Sequence, residues 1–171
     1  MKTGKMIALS AISTAFGLVF MIIGAYFPTF DLSCLFMSSI MVMLPLSKKS
    51  VKGAFLTYGA TVLLSLPFVI GKFDIVILYA LFFGLHPLVN YYQIKNGKEF
   101  GIITFLKVIW FVGVLYFAFY LLTFFTVTNE FIYTYLPIII AIAGIVFFII
   151  YDFIMIRFQK TTEMLIKKLK L

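Results

Sequence analysis

Long apolar runs alternate with short polar connections along this chain, and the runs approach the ~20 residues that cross a bilayer. They predict six spans, at residues 6–27, 32–46, 51–70, 75–92, 105–125 and 131–156. The connections are too short to hold a further domain, and no low-complexity segment interrupts them, so residues 1–171 read as a single transmembrane domain. The second run is the shortest and covers only roughly 22 Å of a ~30 Å hydrocarbon core. It must borrow residues from its flanks or lie sheltered by its neighbours. The fourth run contains His86 and Pro87, which predicts a kink or an early end. The first follows Lys2 and Lys5 and has no small-residue cleavage site after it, so it is read as a retained span rather than a signal peptide.

Composition agrees with this pattern. With 64% hydrophobic and 12% charged residues and a mean hydropathy of +1.15, the chain is too apolar for a soluble domain of its size. The expected fold class is an all-α integral membrane protein with six transmembrane helices. One Trp accompanies 10 Tyr, so Tyr is expected to do most of the interfacial anchoring, with Trp110 as one further anchor.

A net charge of +8 in a soluble protein would point to nucleic acid. Here the basic residues sit beside apolar runs, so their partners are read as lipid headgroups and their role as topological, with no nucleic-acid partner. Lys2 and Lys5 precede the first span, and Lys48, Lys49 and Lys52 lie between the second and third. Lys95, Lys98 and Lys107 lie around the junction of the fourth and fifth, and Arg157, Lys160, Lys167, Lys168 and Lys170 follow the sixth. Of the 14 basic residues only Lys72 falls on the other side. Both termini are therefore expected to be cytoplasmic, in a cell (plasma) membrane. The tail at residues 157–171, RFQKTTEMLIKKLKL, reads either as an amphipathic helix on the inner leaflet or as a solvated continuation of the last span.

Catalytic signatures are missing. There is no HExxH or GxSxG pattern and no glycine-rich phosphate loop, so the expectation is a non-enzyme without cofactor or metal. The single Cys34 reads as a small apolar filler. His86 and Asp152 are the ionisable groups of interest within the spans. Either they pair with each other, or His86 is interfacial and Asp152 pairs with Arg157 or headgroups. Both are placed nearer the cytoplasmic surface than the midplane, which counts against a proton-coupled carrier.

Polar groups suited to a small-molecule substrate gather at the opposite, outer end, in the connections PTFD, GKFD and TVTNEF. Asp31, Asp74, Tyr79, Asn129, Glu130 and Tyr133 are the candidate substrate contacts, with tyrosines supplying flat apolar faces and short polar groups fixing orientation. No cluster of outer basic residues favours a polyanionic ligand.

The first run opens with MIALSAISTAFG. At about 100° per residue, Gly4, Ala8, Ala11 and Ala15 fall within a sector of about 60°. Ser10, Gly17 and Gly24 form a second small seam on nearly the opposite side. Small residues let helix backbones approach closely in lipid, where hydrophobic drive is missing. Two seams imply packing on two sides, against the protein's own bundle or against another protein.

In these residues the chain resembles the substrate-binding S components of energy-coupling factor (ECF) transporters, small bacterial membrane proteins of six helices. The stretch AISTA, Ala11 to Ala15, is similar to the AxxxA motif by which that family docks its coupling subunit. YFPTFDLS, Tyr26 to Ser33, is similar to the first outer loop of many members. The glycine-rich turn that many members have between helices two and three is replaced here by PLSKKSVKG. The resemblance implies an S-component-like bundle that captures a vitamin or micronutrient and topples in the membrane to deliver it. It further implies a transmembrane coupling subunit and, through it, two cytoplasmic ATPases as partners, with Ala8, Ala11 and Ala15 as the docking face. The competing readings are a non-transporting scaffold or assembly protein and an autonomous small-solute carrier.

Overall fold

The computed structural model describes residues 3–97, 101–123 and 130–168. Among the described residues there are seven α-helices and no strand: α1 (Thr3–Tyr26), α2 (Asp31–Ser47), α3 (Val51–Ser65), α4 (Phe73–Leu78), α5 (His86–Lys95), α6 (Ile102–Thr123) and α7 (Glu130–Lys168). A 3₁₀ turn, Pro28–Phe30, joins α1 to α2, and a π-helical turn, Tyr79–Phe83, makes α4 and α5 one continuous rod. Four units are long and apolar enough to cross a membrane, namely α1, the α4–α5 rod, α6 and α7. The other two, α2 and α3, are shorter apolar helices of 17 and 15 residues.

The six apolar runs thus become six helical units, with two differences of length. The third unit stops at Ser65 rather than near residue 70. Pro67 lacks an N–H and pushes the residue before it away from the helical region. The Ser65 carbonyl instead accepts turn bonds from the N–H groups of Phe68 (3.0 Å) and Val69 (3.1 Å). The sixth unit does not break at its basic tail. α7 runs for 39 residues, roughly 58 Å, so the tail extends the last helix rather than forming a separate element.

Pro87 does not end the rod, because it lies in the first turn of α5, where a missing N–H is tolerated. The irregularity lies one turn earlier. The N–H of Gly84 reaches back five residues to the Tyr79 carbonyl (2.8 Å), so the Ala80 carbonyl loses its usual donor, and Pro87 removes the donor for Phe83. Both carbonyls are taken by side chains from neighbouring helices. Tyr58 Oη donates to Ala80 (2.8 Å) and Ser39 Oγ to Phe83 (2.6 Å). Glycine is required at 84, since a Cβ there would sit 2.5 Å from the Tyr58 ring. Apolar surroundings offer no water to satisfy such groups, so these bonds hold α2 and α3 to the rod.

α1, α2 and α3 pack through short polar side chains that bond the backbone opposite. Ser10 Oγ donates to the Gly53 carbonyl (3.0 Å), Thr57 Oγ1 to the Ser10 carbonyl (3.3 Å) and Ser38 Oγ to the Gly17 carbonyl (3.1 Å). Cys34 is buried in this packing, as its reading as a filler requires. The centre is aromatic: Tyr79, Phe82, Phe83, Phe111 and Phe148 are fully or almost fully buried. Trp110 is half-buried with its ring 5.0 Å from that of Phe82, so it packs against this cluster.

Candidate functional site

Three features of the fold gather the side chains singled out above. The first is ionic and internal. His86 on α5, Lys107 on α6 and Asp152 on α7 are at most 2% exposed. His86 Nε2 lies 2.9 Å from Asp152 Oδ1, and Lys107 Nζ is bonded to the same oxygen. Lys107 also donates to Asn90 Oδ1 (2.8 Å). Each of three helices thus contributes one ionisable group to a single contact. Rings close over it: His86 lies 5.1 Å from Phe82, 6.0 Å from Phe148 and 4.8 Å from Tyr151.

Of the two arrangements open to His86 and Asp152, the structure adopts their mutual pairing. Arg157 is exposed and lies over the Phe153 ring at 5.1 Å instead. Lys107 is the residue that sequence reasoning misplaced. Its place near a run boundary groups it with the basic residues at a loop junction, but it is interior, and its charge is answered by Asp152. A charge is expensive to bury unless paired, and the carboxylate beside it meets that requirement.

The second feature concerns α1. Ser10, Gly17 and Gly24 face the bundle interior and are buried, whereas Ala8, Ala11 and Ala15 lie on the outside and are exposed. With Ser10, Thr14, Leu56, Ala60 and Leu64, Ala11 and Ala15 line an apolar groove of ≈ 410 Å³ between α1 and α3. The two seams therefore have different neighbours, and among the described residues only the Ser10, Gly17 and Gly24 seam is buried within the bundle.

The third lies at the α1–α2 and α3–α4 connections. Asp31 and Asp74 come together with Lys72, Gly24, Ala25 and Ile75 around a small cleft of ≈ 70 Å³. Tyr79 is not part of it: its side chain is fully buried, with its ring 6.2 Å from that of Tyr58. Asn129 and the side chains of Glu130 and Tyr133 lie outside the described residues. Among the described residues no three His, Cys, Asp or Glu side chains assemble as metal ligands would.

Fold and site together define the class as an all-helical protein with several helices of membrane-crossing length, compatible with multi-pass insertion. No family model, no curated protein and no solved structure matches the chain.

Proposed function

We propose that this chain is the substrate-capture subunit of an ATP-driven vitamin or micronutrient uptake transporter of the energy-coupling factor type. In this reading six helical units cross the membrane, the shorter α2 and α3 sheltered by their neighbours, with both termini cytoplasmic. Ligand enters from the face that carries Asp31 and Asp74. Ala8, Ala11 and Ala15 dock a transmembrane coupling subunit, and through it two cytoplasmic ATPases drive the cycle.

One observation carries this reading. A seam of small residues lies exposed on α1 although the opposite seam already serves internal packing. In lipid, a helix face with no neighbour has no reason to be kept small, whereas a helix seated on it gains close backbone contact. The groove shared with Leu56, Ala60 and Leu64 extends that face across two helices.

The cleft between Asp31 and Asp74 is far smaller than the ~300 Å³ or more of a typical small-molecule pocket. On its own it receives a single functional group, such as an amine or a hydroxyl, and the rest of the ligand is held by residues beside it. Asp31→Ala and Asp74→Ala are each expected to weaken ligand-dependent thermal stabilisation of the purified protein. A tenfold loss of affinity lowers that stabilisation by about 1.4 kcal/mol at high ligand concentration. The ligand itself is first identified by mass spectrometry of small molecules retained on purification. An unchanged shift in both variants would place the ligand elsewhere.

The buried ionic cluster favours a second reading, an autonomous carrier, because it puts charged groups along the interior where such a carrier needs them. That reading predicts solute exchange in liposomes without any ATPase. The capture-subunit reading predicts none.

A further inference from the structure

Hydrogen bonding around the ionic cluster satisfies some of its polar atoms and leaves others enclosed without a polar partner. Ionised Asp152 can only accept hydrogen bonds, so the ring proton of His86 sits on Nε2 and the Nδ1 position carries a lone pair. That Nδ1, the Asn90 Nδ2 and both side-chain amide atoms of Gln159 are buried without a hydrogen-bond partner. Buried polar atoms in native folds are almost always satisfied, by ordered water where protein does not reach.

These atoms lie in register. α5 and α6 run antiparallel, since Lys107 bonds Asn90 and Gln93 Nε2 donates to Thr104 Oγ1 (3.3 Å). α6 and α7 are antiparallel too, with Lys107 meeting Asp152 and Tyr116 Oη donating to the Pro137 carbonyl (2.6 Å). α5 and α7 are therefore parallel. Gln93 and Gln159 each follow an ion-cluster residue, His86 and Asp152, by seven positions, which is two helical turns or about 10 Å on the same face.

A lower tier of Gln93, Thr104 and Gln159 consequently lies beneath the upper tier of His86, Asn90, Lys107 and Asp152. It sits at the end of the bundle where α5 finishes at Lys95 and α6 begins at Ile102, both exposed. One turn above the ions, in the opposite direction, Phe82, Phe111 and Phe148 pack with ring centroids 4.6 to 6.0 Å apart. One side of the cluster is polar and leads toward the α5–α6 end, and the other is sealed by aromatic rings.

We propose that this lane is a one-sided water inlet, and that its inner end, Nδ1 of His86, is a proton-accepting site supplied only from the α5–α6 face. In the step itself, a hydronium ion at the inner end transfers its proton to the Nδ1 lone pair. Imidazolium forms and water remains in the lane. The charged groups that face the ring are Asp152 on α7 and Lys107 on α6. α2 has one charged residue, Asp31, at its far end, and its Ser39 is bonded to the hydroxyl of Tyr151 (3.3 Å), the titratable neighbour of the His86 ring. The assignment is independent of the transporter reading, since it concerns only where water and protons reach.

Two measurements test it. In a Cys34→Ala background, Gln159→Cys and Phe148→Cys are exposed to a charged, membrane-impermeant methanethiosulfonate reagent from each side of oriented vesicles. Gln159→Cys is expected to react several-fold faster than Phe148→Cys, and only from the side bearing the α5–α6 connection. No reaction in folded protein, or reaction from the opposite side, overturns the inlet. The second uses the unsubstituted chain, whose single histidine gives one imidazole in a nitrogen-15 NMR spectrum after selective labelling. Its Nδ1 resonance is expected to shift reversibly from the unprotonated to the protonated position as bulk pH falls. A ring that stays singly protonated until the protein unfolds overturns the proton site.

Discussion

Gly24→Leu is expected to disrupt the bundle, while Ala11→Leu on the same helix leaves it folded. A Cβ added at Gly24 would sit 2.6 Å from Ile75 Cδ1 and 2.9 Å from Cys34 Cβ, with the Asp31 backbone 3.5 Å away. The adjoining cleft of ≈ 70 Å³ is lined by the Asp31 and Asp74 carboxylates and does not relieve the overlap with Cys34 and Ile75, so α1 must shift away from α2 and α4. Overpacking of this kind costs about 3 kcal/mol, and here it acts where two connections converge. Ala11 is exposed, so added methyl groups meet lipid. Thermal unfolding in detergent, followed by size-exclusion profile, separates the two outcomes. Equal loss of folded protein in both variants would mean that the two faces of α1 are not differently packed.

The second large effect is expected at the ionic cluster. Asp152→Leu leaves the Lys107 ammonium buried and unpaired, a loss of about 3 to 5 kcal/mol by comparison with broken buried pairs elsewhere. Adding Lys107→Met removes the stranded charge and is expected to restore much of that loss, because an apolar pair of similar volume packs where the ions stood. The double-mutant cycle of unfolding free energies reads the coupling directly. Additive losses in the double variant would show that the two side chains do not depend on each other.

Much of the helical layout is legible from composition and run length alone. Six apolar runs give six helical units, and the short second run forms a short helix. What was illegible depends on contacts far apart in sequence. Pro87 predicts a kink or an early end, and the α-helical pattern is indeed interrupted just before it, at a π turn whose free carbonyls are bonded by Ser39 and Tyr58 from other helices. The end of α3 was in principle readable, since Pro67 stands inside the apolar run and hydropathy ignores it.

The site shows the same division. That the small residues of α1 form two seams follows from helical period, but which seam faces inward depends on where α2 and α3 lie. Lys107 stands close to the start of the fifth apolar run. Any lysine near a run boundary looks like a topological charge, although this one stands within the predicted fifth span. His86, Lys107 and Asp152 all stand within about two turns of the basic-loop ends of the predicted spans 75–92, 105–125 and 131–156, and that shared shallow depth is the signal that could have grouped them. Asp31 and Asp74 flank connections at the same end of the bundle, and the structure brings them to one cleft. Tyr79, assigned to the same rim, belongs to the core because the α4–α5 rod turns that position inward.

What covers the alanine face of α1 decides whether this chain works with a coupling subunit. Co-expression with an energy-coupling factor coupling subunit and its two ATPases, followed by affinity purification, measures this for the unsubstituted chain and for Ala11→Trp and Ala15→Trp. The docking assignment predicts that the unsubstituted chain co-purifies with the subunit, and that either tryptophan abolishes the complex while the monomer keeps its unfolding temperature. Undiminished complex in both folded variants would contradict it.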